Sequence, residues 1–73
     1  MIAGQRYRVI GLRAHDPELR HQMIALGLVP GVEVAIHSVL QFGRYVVVRF
    51  QEQLVGLRRY EWAILDAYVI TDD

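Results

Sequence analysis

The sequence predicts a mainly β fold: a small barrel of about five strands, with one amphipathic helix after the first strand and a short helical turn before the last. Three observations carry this reading. Apolar and polar residues alternate with period two through Val32–Leu40 and Tyr45–Phe50. Turn signals recur about every 8–12 residues, the spacing of a small all-β unit. One well-marked helix start, Asp16-Pro17-Glu18, follows the first apolar run.

Tyr7–Leu12 reads as the first strand, with Arg6, Arg8 and Arg13 on its wet side. Asp16 is a good N-cap acceptor, Pro17 suits the first helical position because its missing N–H is not needed there, and Glu18 favours the positive end of the dipole. Leu19, Met23 and Leu26 then fall at i, i+4 and i+7 as one apolar stripe, with Ile24 beside it. Gly27 stops the helix in a left-handed cap, which places Leu28 against the last turn. Val29-Pro30-Gly31-Val32 fits a type II turn, with Pro presetting φ and Gly supplying the positive φ after it.

In the next strand Val32, Val34, Ile36 and Leu40 are expected on one face, and Glu33, Ala35, His37 and Val39 on the other. Gln41-Phe42-Gly43-Arg44 breaks the run into a hairpin, after which Val46, Val48 and Phe50 point to the core. Gln51-Glu52-Gln53 is a second turn, followed by a strand around Leu54–Leu57. Arg59–Leu65 has helical composition, and Ala67–Thr71 is the closing strand, expected to pair near the first and close the barrel.

At 73 residues, with 53% apolar and 22% charged side chains, the chain is expected to be a single globular domain spanning 1–73. A domain of this size buries only about 60% of its unfolded surface, so sheet closure or a partner is needed for stability. The absence of Cys excludes disulfides and thiolate metal sites. No apolar segment approaches a membrane span and the N-terminus has no signal-like apolar core, so the expectation is cytoplasmic, without membrane insertion. Eight Arg, no Lys and eight acidic residues balance to zero net charge. That balance favours protein partners over nucleic acid, because phosphate contacts supply most nonspecific affinity.

No catalytic constellation can be assembled. The single Ser, Ser38, neighbours His37 on a strand, so the two point to opposite faces, and the glycines are too dispersed to cradle a phosphate. The chain therefore reads as a non-enzyme without a cofactor. Glu18 and His21, at i and i+3 with His15 and Asp16 nearby, are the closest approach to a metal site. A helical carboxylate site of that spacing draws further ligands from other helices, which are lacking, so the group reads as an exposed polar face. Of the four Tyr, two Phe and one Trp, Phe50 and Trp62 read as core, and the tyrosines as straddling core and surface. Phe42 stands out. At a hairpin tip of so small a barrel it is hard to bury: either it packs back over the barrel mouth, or, with Arg44 and Tyr45 beside it, it has the composition of an interface hot spot.

Leu26-Gly27-Leu28-Val29-Pro30-Gly31-Val32-Glu33-Val34 resembles the helix-end and second-strand signature of the FeoA family of bacterial ferrous-iron uptake. Gly4–Val9 is similar to the opening strand of that family, Leu57–Glu61 to its short helical step, and Ile64–Val69 to its closing strand, so the resemblance covers essentially the whole chain. Between the second and third strands this chain keeps Gly43 but lacks the prolines and the acid often found there. The resemblance implies an SH3-like barrel that binds and modulates a FeoB-type membrane transporter with a G-protein domain, with self-association as a further option. The docking surface is expected to combine Phe42, Arg44 and Tyr45 with Leu26 and Leu28 at the helix end. Two alternatives are a metal-responsive module like the SH3-like domain of iron-dependent repressors, and a small nucleic-acid-binding barrel.

Overall fold

The computed structural model describes residues 1–71. Five strands and two helices follow one another as β1 (Arg6–Leu12), α1 (Pro17–Ala25), β2 (Glu33–Leu40), β3 (Tyr45–Phe50), β4 (Gln53–Arg58), α2 (Arg59–Ala63) and β5 (Leu65–Val69). The strands form one antiparallel sheet in the order β4-β3-β2-β1-β5.

The local signals place α1 as expected. Asp16 Oδ1 accepts the Glu18 amide at 3.0 Å. At the other end the Leu28 amide donates to the Met23 carbonyl at 3.1 Å and the Gly27 amide to the Ile24 carbonyl at 2.9 Å, with Gly27 at φ 97°. This pair of bonds is a Schellman cap. The stripe is narrower than expected: Met23 is buried and Leu19 half-buried, while Ile24 and Leu26 lie exposed. The Pro30-Gly31 turn closes with the Val32 amide on the Val29 carbonyl at 3.2 Å, and the Gly31 amide fastens it to Val9 of β1 at 2.8 Å.

Alternation puts Val34, Ile36, Val46, Val48, Phe50 and Leu57 inside, where Val9, Met23, Leu28 and Leu65 join them in one core. The β2 alternation does not run to its end. The β2–β3 register shifts between Ile36 and Ser38, so Ile36 faces Val48 but Leu40 faces Tyr45. One extra residue in a strand flips every side chain beyond it. Leu40 therefore leaves the core face and is exposed. A second shift, between Val9 and Gly11 of β1, leaves Ile10 exposed.

β5 begins two residues earlier than expected, because α2 ends at Ala63. It pairs with β1, but no ladder joins it to β4, so the barrel is not closed by hydrogen bonds. Instead α2 links the two edges, packing on β3, β4 and β5. Its Trp62 meets Tyr7 of β1 edge to face, with ring centroids 5.2 Å apart. Trp62 is half-buried and packs against the core from outside, without being enclosed in it as Phe50 is. Among the described residues no helix is long and apolar enough to cross a membrane.

Candidate docking surface

The hairpin between β2 and β3 is built to expose its tip. Gln41, Phe42 and Gly43 take φ values of 50°, 55° and 90°, and the Arg44 amide closes the turn on the Gln41 carbonyl at 3.2 Å. Left-handed backbone costs a non-glycine residue about 1 kcal/mol. At Phe42 the conformation carries the ring off the sheet, leaving it 109% exposed, more than in an extended reference peptide. An open depression lined by Gln41, Phe42 and Arg44 lies at the tip.

Beneath the tip, Leu40, Tyr45 and Arg58 lie side by side across β2, β3 and β4. The Arg59 amide donates to the Arg44 carbonyl at 2.8 Å, which ties the start of α2 to the hairpin. Arg58 reaches the Tyr60 hydroxyl at 3.4 Å. That hydrogen bond first, and then the charge interactions with Tyr60 and Tyr45, push the Arg58 guanidinium above its ordinary value. Its own amide donates to Glu61 Oε1 at 2.8 Å, which caps α2. The outcome is a corner of aromatic rings and permanent cations around one fully exposed phenyl ring, the residue types that dominate protein interfaces.

The structure divides the surface anticipated from sequence. Phe42, Arg44 and Tyr45 are together, whereas Leu28 is 0% exposed and belongs to the core, because the helix cap that it completes turns it inward. Leu26 keeps 39% exposure but lies elsewhere. A Cβ at the adjoining Gly27 would be 3.4 Å from Phe50 Cε2 and 3.5 Å from Gln51 Oε1, so the helix end sits at the Phe50 end of β3. The Phe42 hairpin lies beyond the other end of that strand, about 17 Å away at 3.3–3.4 Å per residue. The residues that neighbour the hairpin are instead Leu40, Arg58 and Tyr60. The β3–β4 register brings Arg58, and with it Tyr60, beside Tyr45, and the bulge in β2 turns Leu40 toward the same side.

Elsewhere two acidic residues have structural roles. Asp16 caps α1, and Glu33 bridges Arg6 and Arg8 at 3.5 and 3.6 Å. His15, Glu18, His21 and His37 are all exposed. Among the described residues no group of three or more His, Asp or Glu converges to hold a metal ion.

The family model described as the FeoA domain matches residues 1–63. Solved structures of similar fold include the FeoA protein from Chlorobium tepidum, 26% identical with a TM-score of 0.86 over 100% of this chain and 69% of that one. The FeoA-like protein from Clostridium acetobutylicum is 20% identical, with a TM-score of 0.87 over 100% of this chain and 84% of that one. Iron(II) transport protein A from Clostridium thermocellum is 26% identical, with a TM-score of 0.87 over 96% of this chain and 43% of that one. No curated protein matches the chain in sequence.

Proposed function

This chain belongs to the FeoA domain family, and from that premise we propose that it is a cytoplasmic accessory protein of ferrous-iron uptake. In this role it is a single non-catalytic domain spanning 1–73 that binds a FeoB-type transporter with a G-protein domain and modulates it. The observation that carries the docking mode is Phe42, a phenyl ring fully exposed on left-handed backbone, with Arg44, Tyr45 and Arg58 around it. A solvated phenyl ring is costly, and a pocket that accepts it recovers roughly 1.5–3 kcal/mol by removing it from water. The surrounding guanidiniums add bidentate contacts to carboxylates or carbonyls on the partner, and these set its orientation. The similarity to a protein described as iron(II) transport protein A supports the iron-uptake setting.

The test is a binding assay of this chain against the soluble G-protein part and the full-length form of the cognate transporter, with and without GTP. Binding that depends on nucleotide supports docking to the G-protein system. Absence of binding to either form contradicts the assignment of partner.

A further inference from the structure

β4 is an edge strand whose free side is regular and almost uncharged. The β3–β4 hairpin closes at Phe50–Gln53, and its register continues without interruption to Tyr45–Arg58. Antiparallel pairs alternate between those that exchange hydrogen bonds and those that do not. Counting from the two-residue turn, Gln53, Val55 and Leu57 bond to β3, while Leu54, Gly56 and Arg58 direct their N–H and C=O groups outward. Two contacts confirm this phase. The outward Arg58 amide is taken by Glu61 Oε1 at 2.8 Å, and Arg59 continues the inward series by donating to the Arg44 carbonyl. Among the described residues no backbone hydrogen bond meets the outward groups of Leu54 and Gly56.

Natural sheets guard such edges with lysines, prolines, bulges or covering segments. The other edge strand, β5, joins its neighbour through a bulged ladder, and its Asp66 is paired with Arg13 at 3.0 Å. β4 has no Pro, Lys or bulge, and its only charge is Arg58 at its end. Leu54 is 50% exposed, and a Cβ added at Gly56 would meet nothing within 4 Å.

We propose that the β4 edge pairs with the β4 edge of a second copy of this chain, antiparallel about a two-fold axis at Val55. In this register Leu54 and Gly56 of opposite copies exchange both backbone hydrogen bonds. Each exposed Leu54 side chain covers the bare Gly56 across from it. The same register sets Arg58 of one copy opposite Glu52 of the other, so the charges complement each other twice. An edge must be self-complementary to form an isologous contact, and this one is so in backbone, shape and charge together. The paired strands bury less than the roughly 1,200 Å² of standard interfaces, which makes the dimer weak and dependent on concentration. The pairing does not depend on docking by Phe42.

Sedimentation equilibrium of the isolated chain from micromolar to millimolar concentration tests it. The mass is expected to rise from 8.4 kDa toward twice that value. Leu54→Lys and Gly56→Pro are expected to hold it at one chain, with the thermal melt of Leu54→Lys unchanged. Glu52→Arg and Arg58→Glu, each alone, place like charges across the axis and are expected to abolish the dimer. A mixture of these two variants restores opposite charges at both sites and is expected to recover it. A wild-type chain that stays single at millimolar concentration, variants that dimerise as wild type does, or a mixture that stays single would overturn the proposal. So would protection of the Leu54 and Gly56 amides from exchange that is independent of the chain's own concentration.

Discussion

The Arg59 amide donates to the Arg44 carbonyl oxygen at 2.8 Å, so the first residue of α2 is bound to the foot of the Phe42 hairpin. Two segments distant in sequence thereby become one corner, with Tyr45 and Arg58 as cross-strand neighbours inside it. The exposed ring stands on a turn anchored at both feet, and ordering it on binding costs little further backbone entropy.

The strain at the tip separates stability from binding. Phe42→Gly removes the ring and relaxes a left-handed residue at φ 55°. It is expected to raise stability by up to about 1 kcal/mol, read as a higher melting temperature, while weakening partner binding by roughly 30-fold or more. A lower melting temperature would show that the ring packs on the barrel.

Gly27→Ala is expected to destabilise the fold by about 1–2 kcal/mol, because a side chain at φ 97° is strained, although its Cβ would only touch Phe50 and Gln51 at ordinary contact distance. For a domain of this size each kcal/mol is worth roughly 4–8 °C in a thermal melt. An unchanged melt would mean that the helix ends differently in solution.

Leu26 and Leu28, two residues apart, are expected to respond very differently to truncation. Leu28→Ala removes a fully buried side chain and is expected to cost about 2–5 kcal/mol, enough to unfold much of so small a domain. Leu26→Ala, at 39% exposure, is expected to cost less than about 1 kcal/mol. Chemical denaturation of both variants measures the contrast.

The Glu61 carboxylate accepts the Arg58 amide at the start of α2, so Glu61→Ala is expected to cost about 0.5–1 kcal/mol. Because α2 begins at the docking corner, amide exchange at Arg58 and Arg59 is expected to speed up. Glu61→Gln retains an acceptor and is expected to recover most of the loss.

The features legible in the sequence are local. Asp16, Pro17, Gly27, Pro30 and Gly31 each act on backbone within a few residues of themselves, and all of them behave as their chemistry dictates. The fate of Leu40 was hidden because alternation assumes an unbroken register, and the shift at Ile36–Ser38 arises from pairing with β3. The open edge of β4 and the contact of Arg58 with Tyr45 likewise depend on long-range pairing. For the candidate site, the hairpin tip is legible at Phe42, but whether the ring stands free or folds back over the barrel mouth is decided by its left-handed backbone, which leaves it exposed. The separation of Leu26 from that tip did not follow, because it is set by which end of β3 receives the end of α1.

Calorimetric titration of the cytoplasmic part of the transporter with wild-type chain and with Phe42→Ala tests the central claim most directly. A hot-spot ring is worth about 2 kcal/mol or more, so Phe42→Ala is expected to weaken binding by roughly 30-fold or more, with its melting temperature nearly unchanged. Equal affinity of the two proteins would contradict docking through Phe42.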